Sequence, residues 1–133
     1  MHPCDLPIRV FYADTDAMGI VYHTSYIRWF EMGRTELMRA RGISWSILGP
    51  ERCYFPLTKV SCHFLIPARY DELVILETKI DEVKRASLSF SYRILDEAKE
   101  RVLVRGYTLH ACTDGEGTIM RIPETIKKVI QQE

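Results

Sequence analysis

From about Thr24 or Ser25 up to Gly42 the apolar residues recur at helical spacing. Tyr26, Phe30, Gly33 and Leu37 follow one another at intervals of four, three and four, which puts them on one stripe of a helix. Ile27 and Met38 widen the stripe, while Arg28, Glu31, Thr35, Glu36 and Arg39 fall mostly off it. Glu31–Arg34 and Glu36–Arg39 are spaced to pair on the helix surface. Thr24 or Ser25 is suited to cap the start, Arg39 and Arg41 suit the negative end of the dipole, and Gly42 suits a left-handed stop. The span of about 17 residues predicts a helix roughly 25 Å long at about 1.5 Å per residue. A glycine inside the buried stripe costs about 1 kcal/mol against alanine, so Gly33 implies a close approach by whatever covers the helix.

The rest of the chain alternates with period two. Leu6, Ile8, Val10 and Tyr12 predict a first strand, with Pro7 near its start or on an edge. Ile43 to Pro50 predicts a single helical turn ended by Gly49-Pro50. From Cys53 to Ile66 the residues are of strand type, irregular around Pro56, with Val60, Cys62, Phe64 and Ile66 on one face. Leu73 to Val83 predicts a strand carrying Val74, Leu76, Thr78 and Ile80 on one side. Leu88, Phe90, Tyr92 and Ile94 alternate strictly with Ser87, Ser89, Ser91 and Arg93, the pattern of a half-buried strand. Asp96 to Glu100 is a charged hairpin turn, and Arg101 to Thr113 a further strand in which Gly106 marks an expected bulge. Asp114-Gly-Glu-Gly117 is a turn, Thr118 to Met120 a continuation of the sheet, and Pro123 opens a terminal helix with Ile126, Val129 and Ile130.

One long helix and about five strands joined by short turns give an α+β chain with an antiparallel sheet. The simplest way to bury both apolar faces is to curl the sheet around the helix. The sheet edges then need cover, and an isologous dimer that continues the sheet supplies it.

Composition narrows the function. The 133 residues are expected to form a single domain, 1–133, and 47% hydrophobic content is enough for a core. Lys plus Arg and Asp plus Glu both number 18, so there is no basic excess of the kind nucleic-acid binders show. No apolar run approaches the roughly 20 residues of a membrane span, and Met1 to Asp5 has no signal-peptide character. The expectation is a cytoplasmic protein without nucleic-acid partners. Cys4, Cys53, Cys62 and Cys112 have no paired spacing and read as free thiols. Cys62 and His63 point to opposite faces of a strand, and His110 with Cys112 supplies only two ligands on one face, so no metal site is expected.

The candidate chemistry sits just before the long helix. Asp14 and Asp16 lie in a turn, Gly19 releases the short apolar run Ile20-Val21-Tyr22, and the helix begins directly after it. A carboxylate and a helix N-terminus are thus one short loop apart. Open N–H groups at a helix start can hold an oxyanion, and a carboxylate can attack a carbonyl or deprotonate a water that does. An Asp in a loop is also an ordinary turn former, and His23 is open to reading as a cap neighbour, a packed aromatic or a catalytic group. Tyr22 and Tyr26 adjoin the motif, though such residues are more often core or interface.

The run Asp14-Thr-Asp16-x-x-Gly19-Ile-Val-Tyr22-His23-x-x-Tyr26 resembles the start of a hotdog-fold acyl-CoA thioesterase. It is most similar to the hydroxybenzoyl-CoA thioesterase family, in its YbgC-type branch, and the resemblance runs from about Ile8 to about Pro123. It implies that Asp16 is catalytic, that the backbone amide at His23 polarises the thioester carbonyl, and that the active site lies at a dimer interface. Gly19, Tyr22 and Tyr26 join the implied substrate-binding set. Lys84 and Arg85, with Ser87 after them, match a hairpin whose basic residues meet CoA phosphates in that family; the same pair also suits a solvated turn. Met18 stands where small residues are common, which bears on the acyl group accepted. No cofactor is implied, and a homodimer or homotetramer is. A dehydratase acting on acyl carrier protein, or a non-catalytic acyl-thioester-binding protein, would use the same scaffold.

Overall fold

A computed structural model describes residues 4–132, so the first three residues of the N-terminal segment lie outside the described residues. Five strands are present: β1 (Cys4–Arg9), β2 (Leu57–Phe64), β3 (Leu73–Val83), β4 (Ser87–Asp96) and β5 (Val102–Ala111). Three helices accompany them: α1 (His23–Ala40), α2 (Trp45–Leu48) and α3 (Glu124–Gln131). The sheet order is β1-β3-β4-β5-β2, with every neighbouring pair antiparallel. The helix α1 lies on one face of this sheet, which is the hotdog layout expected from the sequence.

The packing of α1 explains its stripe. Tyr26, Trp29, Phe30, Gly33 and Leu37 are its buried positions, with Ser25. The Phe30 ring stacks on Tyr92 of β4 with centroids 4.3 Å apart. A Cβ placed on Gly106 of β5 would stand 2.3 Å from the Phe30 ring. The expected bulge at Gly106 is therefore not found: its pairing with Tyr92 and Cys62 is regular, and the missing side chain makes room for Phe30. Gly33 plays the same part toward β3. A Cβ there would meet Thr78 Oγ1 at 2.2 Å and Leu76 Cδ2 at 2.7 Å. The close approach inferred at Gly33 is thus to the chain's own sheet.

Two other expectations need correction. The first strand ends at Arg9, and a single 3-10 turn at Tyr12–Asp14 follows it. That turn breaks the alternation, so Ile8 and Val10 are buried while Tyr12 is 79% exposed. The four cysteines are free, as expected, but two of them are not scattered. Cys53 and Cys112 are both buried, with their sulfurs 3.4 Å apart. Burial, together with the neighbouring Cys112, pushes the Cys53 thiol up to about 12, so it stays protonated and inert. Among the described residues, no helix is long and apolar enough to cross a membrane.

Candidate active site

The acidic loop is a small hairpin fastened to the start of α1. Thr15 bridges Val21, and the Asp16 N–H donates to the Ile20 carbonyl at 2.9 Å. Gly19 turns the hairpin with φ +78, a left-handed conformation that glycine adopts without strain. The Val21 N–H donates to the Ala68 carbonyl at 2.8 Å, and Ile20 bridges Arg69, so the segment before β3 backs the hairpin.

The two acids are placed differently. Asp14 is 3% exposed and is the internal strut of the loop. Its carboxylate accepts from the Phe11 N–H at 2.8 Å and pairs with Arg28 on α1. Its carbonyl accepts from the Tyr22 N–H at 2.9 Å and from Ser25 Oγ at 3.1 Å. Asp16 is half-exposed. Its Oδ1 accepts from the Met18 N–H at 2.8 Å, which fixes the side chain, and the second oxygen has no donor among the described residues. Asp14 is thus tied into the loop and to α1, whereas Asp16 makes a local turn contact.

The helix start is open. Neither Thr24 nor Ser25 caps it. Tyr22 holds the cap position without a side-chain hydrogen bond, and both expected caps lie inside the first turn. Ser25 spends its hydroxyl on Asp14, so nothing on the cap competes for the His23 and Thr24 N–H groups. The His23 imidazole is exposed and tilts against the Tyr22 ring at 4.2 Å. Tyr26 is buried; its hydroxyl accepts from the Ala68 N–H at 3.1 Å, and its ring meets Trp29 and Phe64. It supports the hairpin from behind. Phe11, Tyr12, Met18, Tyr22, Phe64 and Tyr70 are exposed around the loop, with Tyr12 and Tyr70 in an edge contact at 5.7 Å.

Lys84, Arg85 and Ser87 lie away from this loop, at the β3–β4 reversal. The Lys84 N–H donates to the Ser87 carbonyl at 2.9 Å, and Lys84 Nζ stands 3.4 Å from Glu82. Arg85 is exposed with no carboxylate partner among the described residues.

Sequence reasoning passed over Arg28, which holds Asp14 from fourteen residues away. Replacing Asp14 with alanine removes the acceptor for the Phe11 N–H and leaves Arg28 without its partner. A loss of about 1 to 3 kcal/mol is expected, seen as a lower melting temperature, with turnover falling less than tenfold. A variant as stable as the wild type would show that the loop does not depend on this strut.

The model of the thioesterase-like superfamily matches residues 10–130. The acyl-CoA thioester hydrolase YbgC of Escherichia coli O157:H7 is 38% identical over 108 residues, 81% of this chain and 80% of that one. The acyl-CoA thioesterase YbgC of Haemophilus influenzae is 32% identical over 123 residues, 91% of this chain and 89% of that one. A solved structure of a 4-hydroxybenzoyl-CoA thioesterase, an aspartate-to-asparagine variant complexed with 4-hydroxybenzoyl-CoA, superposes with a TM-score of 0.89. It is 17% identical, covers 98% of this chain and 100% of its own, and so bears on the fold alone.

Proposed function

The chain belongs to the thioesterase-like superfamily and is a thioester hydrolase of the YbgC type, and from that premise we propose that it cleaves acyl-CoA to the free acid and CoA at the Asp16 loop. The observation that carries this reading is the pairing of a fixed, half-exposed carboxylate with an uncapped helix start. Asp16 serves as nucleophile or as general base toward water, and the His23 amide stabilises the oxyanion. One preorganised donor of this kind is worth about 3 to 4 kcal/mol. A thiolate leaving group has a pKa near 8.5, so strong acid assistance to its departure is unnecessary. Asp14 and Arg28 are positioning residues, because they hold the hairpin on α1 without touching the reacting atoms. On this reading residues 1–133 form one catalytic domain acting in the cytoplasm, with Gly19 and Tyr22 shaping the acyl end of the site and the buried Tyr26 supporting it from behind.

A homodimer completes the site. Among the described residues β2, eight residues long, pairs with β5 alone and its other edge is open. Leu57, Val60, Phe64 and Leu65 are exposed there, beside the exposed aromatics of the hairpin. A long apolar edge of this kind invites pairing, and a two-fold axis through it would pair the β2 strands of two protomers and bring each hairpin's exposed aromatics toward the seam. The wild type is expected to sediment as a dimer or larger at micromolar concentration. Val60→Lys with Phe64→Lys should shift it toward monomer and lower turnover together. A wild type that sediments as a stable monomer would remove the shared site.

For the nucleotide end we assign Lys84 and Arg85 as the phosphate contacts, supported by an exposed Arg85 with no carboxylate partner among the described residues, at a hydrogen-bonded reversal. Such contacts lie far from the thioester and supply uniform binding. Lys84→Ala with Arg85→Ala should raise KM for acyl-CoA with little change in kcat. Turnover of the same acyl group on a truncated thiol should barely change. An unchanged KM for acyl-CoA would return the pair to a solvated turn.

A further inference from the structure

At the far end of α1 lies a second feature that thioester hydrolysis does not use. The C-terminal half of α1, the segment after it, and strands β4 and β5 border an open cavity of about 230 Å3. Its wall is mainly apolar, with Met38, Leu48, Leu88 and Phe90 among its residues. Two lining groups differ in character, Arg34 and His110. Along the helix, Arg34 and Met38 stand roughly 17 to 22 Å beyond His23 at about 1.5 Å per residue.

The polar groups form a chain with a fixed direction. His110 is 3% exposed, and its Nδ1 faces the Phe55 carbonyl at 3.1 Å. A carbonyl only accepts, so Nδ1 carries the proton. Burial lowers the His110 pKa from its ordinary value and favours the neutral ring. Its Nε2 then accepts from the Thr108 hydroxyl at 3.0 Å. The Thr108 oxygen accepts in turn from the Tyr92 hydroxyl at 2.7 Å. The Tyr92 oxygen is left to face Arg34 Nη1 at 3.5 Å, which is long for a hydrogen bond. The pair expected between Glu31 and Arg34 is not formed, and among the described residues no carboxylate engages Arg34. A neutral histidine and a loosely held guanidinium leave the cavity with one uncompensated positive charge beside an apolar wall.

We propose that this cavity binds a small monocarboxylate, with its carboxylate on Arg34 and its apolar tail against Phe90 and Leu88. Among the described residues Arg34 is the one charged group that lines the cavity, and a single cation selects a single anionic group. An apolar cavity of roughly 150 Å3 accepts benzene, so this one accommodates a tail of roughly six to eight carbons or a substituted ring. A guanidinium presents paired N–H donors that match a carboxylate. The free acid released by acyl-CoA hydrolysis belongs to the same chemical class, so occupancy would report product to the enzyme. The inference rests on the thioesterase reading only for that kinship; binding does not require turnover.

Octanoate titrated into the full-length wild-type protein tests it, with methyl resonances as the readout. Shifts are expected at Met38, Leu48 and Leu88, and not at Met18 or Ile20 of the catalytic hairpin. Arg34→Gln should weaken octanoate binding about tenfold or more, while Arg34→Lys should stay within a few-fold of wild type. Octanamide, which lacks the charge, should bind wild type and Arg34→Gln alike, and this control needs no stability from any new variant beyond Arg34→Gln. Shifts confined to Met18 and Ile20, no saturable binding at millimolar octanoate, or equal octanoate affinity in wild type and Arg34→Gln would each overturn the proposal. A protein that binds octanoate at Met38 and Leu88 but releases no thiol from acyl-CoA would uphold the cavity and overturn the hydrolase reading instead.

Discussion

Asp16→Asn is expected to lower kcat for acyl-CoA by about a thousandfold or more, with the melting temperature within about 2 °C of wild type. Asparagine has nearly the shape of aspartate and keeps an oxygen for the Met18 N–H, so the turn that Asp16 anchors should persist. What it loses is the negative charge that attacks the carbonyl or accepts a proton from water. Asp16 is half-exposed and forms no ion pair among the described residues, so the fold gains little from its charge. The variant should therefore still bind acyl-CoA and keep its oligomeric state. Near wild-type turnover in this variant would remove Asp16 from the reaction. A collapse of stability equal to that of Asp14→Ala would show that the two acids share one structural task.

Gly33→Ala is expected to destabilise the protein by about 2 to 3 kcal/mol, which lowers the melting temperature by roughly 6 to 10 °C. Helix propensity alone argues the other way, because alanine is favoured over glycine by about 1 kcal/mol inside a helix. Sterics should win. The added Cβ would stand 2.2 Å from Thr78 Oγ1 and 2.7 Å from Leu76 Cδ2. Both neighbours belong to β3, paired on both sides within the sheet, and both are fully buried, so neither can swing aside into solvent. Among the described residues Thr78 Oγ1 has no hydrogen-bond partner, so removing it forfeits no bond there. Thr78→Ala combined with Gly33→Ala should recover part of the loss, a coupling measurable in a double-mutant cycle. Gly33→Leu should not fold. A Gly33→Ala variant that melts at or above the wild-type temperature would mean that α1 and β3 are not in the close contact described.

The sequence revealed elements whose pattern is local. The strict alternation of Leu88, Phe90, Tyr92 and Ile94 marked β4, and the spacing of Tyr26, Phe30, Gly33 and Leu37 marked α1, because one side of each is buried throughout. The strand before the hairpin was read too far, since a 3-10 turn carries no period-two signature and Tyr12 looked like the next inward residue. Gly106 read as a bulge because a glycine in a strand has several physical causes; the Phe30 ring that needs the space lies seventy-six residues earlier. The site was legible in the same uneven way. Asp16, Gly19 and His23 form one contiguous stretch, and the resemblance to a known family fixed attention on it. Arg28 against Asp14, Ala68 against Tyr26, Cys53 beside Cys112 and the chain from Arg34 to His110 join residues distant in sequence, and no local periodicity encodes such contacts.

Thiol release tests the central claim most directly. Purified wild-type protein is mixed with a panel of acyl-CoA thioesters, and free CoA is followed with a thiol reagent against a protein-only control for its own cysteines. The account predicts catalytic release of CoA, with the carboxylic acid appearing in equal amount and Asp16→Asn giving none above background. Binding of acyl-CoA without release of thiol, or release that continues unchanged in Asp16→Asn, would contradict it.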